Sequence, residues 1–138
     1  VELDHLLSNS DFVSIHSPLN EETKGMFNKQ KLSLMKKSAY LVNTARGGLI
    51  VEKDIIDILQ NNMIAGAGLD VFEEEPTSHQ NPILKLDNVI VSPHMAGNDT
   101  QSQIDMGNEA AQSIIDLYNS KWPEGSIVNK EVKETWNW

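Results

Sequence analysis

Tyr40-Leu41-Val42-Asn43-Thr44-Ala45-Arg46-Gly47-Gly48 runs from a short apolar stretch straight into an arginine and a glycine pair. A run of that length with no helical periodicity predicts a buried β-strand, Tyr40 to Asn43, with Arg46 just past its carboxyl end. The same arrangement recurs along the chain. Phe12-Val13-Ser14-Ile15-His16 is followed by Ser17 and ended by Pro18. Ile64 to Val71 carries Asp70 and leads into Phe72-Glu73-Glu74-Glu75-Pro76. Val89-Ile90-Val91 is followed by Ser92-Pro93-His94-Met95-Ala96-Gly97. Helical patterns separate these strands. Asn28 reads as an N-cap, with Phe27 and Leu32 at hydrophobic-staple spacing and a helix continuing through Leu34, Met35 and Lys37. Ile55, Ile58 and Leu59 give the stripe of a second helix over roughly 52–61, which Asn61-Asn62 can stop. Apolar strands alternating with helices predict an α/β fold, a parallel sheet covered on both faces with right-handed crossovers. Ligands in such sheets bind beyond the carboxyl ends of the strands, where all four polar words fall.

Thr100-Gln101-Ser102-Gln103 fits a capping box and opens a long helix over roughly 101–119. Ile104, Gly107, Ala111, Ile114, Ile115 and Tyr118 form its apolar stripe. After Trp122-Pro123-Glu124-Gly125 the tail turns polar and ends Trp136-Asn137-Trp138, aromatics that dock either on this chain or on another body. At the other end, residues 2–8 read as a helix already under way, with a further segment expected upstream.

The composition is that of a globular protein, with 39% hydrophobic and 22% charged residues in 138. A net charge of −9 repels phosphate backbones, so nucleic acid is not an expected partner. With no cysteine there is no disulfide, thiolate chemistry or Cys-type zinc site, and no metal site is expected. No run approaches a membrane span and no signal peptide opens the chain, so no membrane partner and a cytoplasmic location are expected.

Three side chains carry the candidate chemistry. Arg46 presents paired donors that match a carboxylate, and Gly47-Gly48 let the backbone turn tightly beside a ligand. His94 lies among the small residues Ala96 and Gly97, and an imidazole can move a proton at a carbonyl or hydroxyl. A glutamate of the run Glu73-Glu74-Glu75 can orient that imidazole; the others read as a solvated face. Asp70 either accepts from a cofactor amide or caps a turn. His5, His16 and His79 read as structural or surface residues. Gly66-Ala67-Gly68 imitates a phosphate loop, but it enters a strand and Val71 stands where the third glycine belongs.

From about Leu3 to about Val128 the chain resembles the NAD-dependent D-2-hydroxyacid dehydrogenases, in the branch of phosphoglycerate, glycerate and hydroxypyruvate/glyoxylate enzymes. The words carrying the likeness are those above, with His16-Ser17-Pro18-Leu19 and Thr23-Lys24-Gly25. The resemblance implies that Arg46 binds the substrate carboxylate, His94 is the acid/base and Glu75 its partner. It places Ser17, Thr44, Ala45, Arg46, Asp70, His94 and Gly97 around NAD. It implies a small 2-hydroxy or 2-oxo acid substrate and a homodimeric complete enzyme. Residues 1–98 then correspond to the C-terminal half of a Rossmann-like NAD-binding domain, and 99–138 to the helix and returning tail that join a substrate domain. The family's glycine fingerprint, and the acidic residue that favours NAD over NADP, do not occur in these 138 residues. A chain with this content is expected to be a weak or inactive catalyst alone. A non-catalytic NAD-sensing or interaction module on the same fold is the alternative.

Overall fold

The computed structural model describes residues 1–136; Asn137 and Trp138, the end of the aromatic tail, lie outside the described residues. The contacts divide the chain into two compact units, Val1–Ala96 and Gly97–Trp138.

The first unit runs α1 (Leu3–Asn9), β1 (Phe12–Ile15), α2 (Lys29–Leu32), β2 (Tyr40–Asn43), a 3-10 turn at Gly47–Leu49, α3 (Glu52–Gln60), β3 (Gly66–Leu69), a 3-10 turn at Pro82–Lys85, and β4 (Val89–Val91). The strands form one parallel sheet in the order β1-β2-β3-β4. Its register aligns Ile15, Asn43, Leu69 and Val91 across the sheet, so all four strands end at one edge. On one face Val13, Ile15, Leu41, Ala67 and Leu69 are buried in a single cluster with Leu7, Leu32, Ile55, Ile58 and Leu59 of the helices. The Ile55/Ile58/Leu59 stripe therefore supplies the core, and Asn61 caps the end of α3 as its spacing predicts.

Other expectations are corrected. Within the first unit the helices cover one face of the sheet: on the opposite face Phe12 is 73% exposed, Ile90 79% and Tyr40 43%. That face mixes Ser14, Gly66 and Gly68 with Phe12, Tyr40, Val42 and Ile90, and Phe12 stacks on Tyr40 with ring centres 5.4 Å apart. The Asn28 cap forms, its side chain accepting from the Lys31 amide, but α2 ends at Leu32 instead of running through Lys37. Leu32 and Met35, three residues apart, are both buried, and the chain after Leu32 winds in tighter turns, Leu34 to Lys31 and Met35 to Leu32, that bring both inward. β1 and β3 are shorter than their apolar runs; Ile64 and Val71 are buried but unpaired beyond the ends of β3.

In the second unit α4 spans Thr100–Tyr118, followed by a 3-10 turn at Lys130–Glu134. Its cap is Asp99, not Thr100, because the Asp99 carboxylate accepts from the Gln101 and Ser102 amides at 3.0 Å each. The helix buries none of its residues, and Ile104, Ile114, Ile115 and Tyr118 are exposed. Among the described residues, no helix is long and apolar enough to cross a membrane.

Candidate active site at the carboxyl edge of the sheet

Asn43, the last residue of β2, is fully buried. Its amide nitrogen donates to the Arg46 carbonyl at 3.0 Å, while its side-chain oxygen accepts from the Ala45 amide at 3.1 Å. These two bonds fold Thr44-Ala45-Arg46 into a turn at the sheet edge. Arg46 projects from it exposed, with its guanidinium donating to the Ala45 carbonyl at 2.6 Å. Gly47 then passes so close to the segment after β3 that an added Cβ would lie 1.8 Å from the Phe72 carbonyl oxygen. Only glycine permits that approach, and it brings the arginine turn against the glutamate loop.

Asp70, just past β3, is buried and ties down the loop after β4. Its carboxylate accepts from the Ser92 hydroxyl, from the Met95 amide at 2.8 Å and from the Ala96 amide at 2.8 Å. Its backbone carbonyl accepts from the His94 amide at 2.8 Å. Burial acts to raise the Asp70 carboxyl, but the Ser92 hydroxyl, the two amides and the nearby His94 together outweigh it and hold the group below its ordinary range. Within this harness His94 sits at φ +57°, a left-handed conformation unusual for a residue other than glycine. Such geometry persists only where the surroundings over-determine it, and it is commonest at functional sites.

His94 Nδ1 lies 2.8 Å from Glu75 Oε2, and Glu75 Oε1 accepts from the Phe72 amide at 2.9 Å. The Phe72 amide and then the His94 imidazole hold the Glu75 carboxyl below its ordinary range against a smaller effect of burial, with Arg46 adding a weaker pull. An ionised carboxylate only accepts, so Nδ1 carries the proton in this pair. Nε2 is then left to give or take a proton, on a side chain 46% exposed. Of the three glutamates the geometry pairs Glu75 with the imidazole. Glu73 is exposed, as a solvated face requires, and it also exchanges hydrogen bonds with Glu52 at the start of α3.

Arg46 and Glu75 line one cleft with Leu19, Lys24, Gly48 and Phe72. Ser17, Ala45 and Arg46 line an adjoining one with His16, Pro18 and Leu19. Thr44 is exposed in the turn between them in sequence, and Gly97 begins the second unit. Sequence reasoning missed Asn43 and Ser92. Asn43 had a signal, an Asx residue two positions before a turn amide; Ser92 had none, because its partner Asp70 lies 22 positions away. Among the described residues no His, Asp and Glu cluster is placed to hold a metal.

A parallel sheet with helices between its strands and polar turns at its carboxyl edge is the form of a Rossmann-like, dinucleotide-binding domain. Residues 1–96 match the model of the D-isomer specific 2-hydroxyacid dehydrogenase, NAD binding domain, and the chain belongs to that family. It is 44% identical over 131 residues to a glyoxylate reductase of Thermofilum pendens, covering 95% of this chain and 38% of that protein. The NAD-complexed D-isomer specific 2-hydroxyacid dehydrogenase of Lactobacillus delbrueckii ssp. bulgaricus superimposes with a TM-score of 0.84 at 32% identity, covering 93% of this chain and 43% of that one. An acyclic imino acid reductase solved with NADPH and D-Arg gives a TM-score of 0.82 at 34% identity, covering 89% of this chain and 39% of that one. The chain thus spans about two-fifths of the length of these proteins.

Proposed function

We propose that this chain carries the acid/base and carboxylate-binding half of a dehydrogenase site, which reduces a small 2-oxo acid to its D-2-hydroxy acid. One observation supports the reading: Glu75, in the segment after β3, lies 2.8 Å from His94 after β4 and lines one cleft with Arg46 after β2. The residues fit a nicotinamide dinucleotide. The Ser17–Ala45–Arg46 cleft offers a hydroxyl beside the apolar Pro18 and Leu19. Asp70 Oδ2 accepts a single bond, from Ala96, where a carboxylate oxygen takes two, so a carboxamide donor can be satisfied there.

When bound, the cofactor supplies the hydride for C2. The protein's part follows from its side chains. Arg46 holds the substrate carboxylate through paired charge-assisted bonds and so fixes the carbonyl in place. His94, protonated, gives its Nε2 proton to the oxygen at C2 as negative charge builds there. Glu75 holds Nδ1 and stabilises the imidazolium before that transfer. In the oxidative direction neutral His94 takes the hydroxyl proton at the same nitrogen.

The test is a titration of the isotope-labelled chain, first with NADH and then with glyoxylate, read at backbone amides. NADH is expected to move Ser17 and Ala45. Glyoxylate is then expected to move Arg46 and His94, and Arg46→Ala to abolish that second response. Silence toward NADH, or a glyoxylate response that survives Arg46→Ala, overturns the reading. Catalysis by this chain alone is expected to be weak, since no Gly-x-Gly-x-x-Gly lies within it to seat a pyrophosphate. Turnover near the enzyme median of about 10 per second would refute that part.

A further inference from the structure

We propose that Glu52 and Glu73 form a two-way clamp that fixes the Arg46 turn against the Glu75 loop, so that Glu73 is a positioning residue for the reaction proposed above. The inference rests on that reading for its functional meaning, but not for its geometry.

The first amides of a helix have no partner inside it. At α3 the N-cap is Val51, whose side chain cannot accept a hydrogen bond. The missing acceptor comes from a distant part of the chain: Glu73 Oε2 accepts from the Glu52 amide at 3.2 Å. The exchange is reciprocal, with Glu52 Oε2 accepting from the Glu73 amide at 3.0 Å. The other Glu52 oxygen, Oε1, accepts from the Asn81 side chain at 2.7 Å, and that amide group also donates to Thr77 Oγ1 at 2.9 Å. One carboxylate therefore grips both ends of the segment 73–81, and Glu75 lies inside it. On the other side, α3 follows directly from the Gly47–Leu49 turn behind Arg46. The clamp and the close approach of Gly47 to Phe72 thus join the same two segments at two points. Negative charge gathers here at the amino end of α3, where the aligned peptide dipoles favour it.

A helix cap that only adds stability would leave the Glu75 environment unchanged when removed. A positioning clamp would not, because Glu75 keeps its bonds to the Phe72 amide and His94 only while the loop is held. The experiment is a pH titration of the full chain with carbon-13-labelled glutamate carboxyls, read at Glu75, with the Phe72 amide shift as a second signal. Glu73→Ala and Glu52→Ala are expected to move the Glu75 midpoint up, toward that of an ordinary glutamate, and to displace the Phe72 amide. Removing a neighbouring negative charge without loosening the loop would move the midpoint down, so the direction separates the two effects. Glu73→Gln keeps an oxygen for the Glu52 amide and is expected to leave the Phe72 amide in place with no upward shift at Glu75. An unchanged or lowered Glu75 midpoint in folded Glu73→Ala and Glu52→Ala overturns the clamp. Should the alanine variants not fold, Glu73→Asp is read in their place: its charge is kept, its reach is one methylene shorter, and the same upward shift is required. No cofactor or substrate enters these measurements. Failure of NADH or glyoxylate binding therefore strikes the proposed function alone, and failure of the Glu75 shift strikes the clamp alone.

Discussion

At the residue scale the site depends on two ionised carboxylates, one aimed at the imidazole and one at the backbone that presents it. Asp70 is the more buried, and it satisfies the Met95 and Ala96 amides that a strained loop would otherwise leave unpaired. Asp70→Asn turns one acceptor oxygen into a donor facing those amides, and a loss of about 3 kcal/mol is expected. For a chain of this size that lowers the melting temperature by roughly 10 °C. The pH dependence follows in sign. Asp70 and Glu75 both titrate below their unfolded values, so their contribution is complete above the unfolded carboxyl range, near pH 4, and is lost as pH falls through the lowered folded values. Denaturation midpoints measured from pH 7 down to pH 2 should fall in the wild type, and fall less steeply in Asp70→Asn. A wild-type curve flat through that range would refute the role given to these groups. Arg46 and His94, two of the residues on which the proposed function rests, stood out in the sequence because each comes just past an apolar run. The choice among Glu73, Glu74 and Glu75 rested on resemblance alone, and of the residues around them Asn43 left a local trace whereas Ser92 and Glu52 left none. Ser92 meets Asp70 across 22 positions and Glu73 meets Glu52 across 21, distances that no spacing rule spans.

At the element scale the strands β2 and β4 and the helix α3 fall where apolar length and the i, i+3, i+4 stripe put them. The misses share one cause, tertiary demand overriding local pattern. α2 carries a sound cap, yet its apolar residues are better buried by a tight turn than by another turn of helix. In α4 the cap moved by one residue because the Asp99 carboxylate reaches two amides, whereas the Thr100 hydroxyl of a capping box would satisfy one. Gly107 stands inside α4 with no atom from outside that helix within 4 Å of the place its Cβ would occupy. Gly107→Ala therefore meets no steric cost and removes the entropy that glycine adds to the unfolded chain, a gain of about 1 kcal/mol. Amide exchange from the α4 backbone is the measurement, and it should slow by about fivefold. Unchanged or faster exchange would mean that the glycine serves a contact the helix makes elsewhere.

At the scale of the whole molecule, the first unit's own helices cover one face of a sheet expected to be covered on both, and the reason is arithmetic. All three helices of the first unit place their buried residues in the cluster on one face, and none remains for Phe12, Tyr40 and Ile90. α4 likewise keeps Ile104, Ile114, Ile115 and Tyr118 exposed. Apolar surface of this kind favours association, while a net charge of −9 opposes it. The balance is set by salt. At low ionic strength, near 0.01 M, repulsion acts over about 30 Å, but at 1 M it is screened within about 3 Å, and burial of apolar surface is unaffected by that screening. The chain is therefore expected to sediment as a monomer in dilute buffer and to associate as salt rises, the reverse of a contact built on ion pairs. Ile90→Lys places a charge at the most exposed large residue of the open sheet face and should shift the onset to higher salt or abolish it. Sedimentation velocity across the salt series decides the matter: a dimer already present at low salt and dissolved by salt would mean that complementary charges, not the bare sheet, bring two copies together.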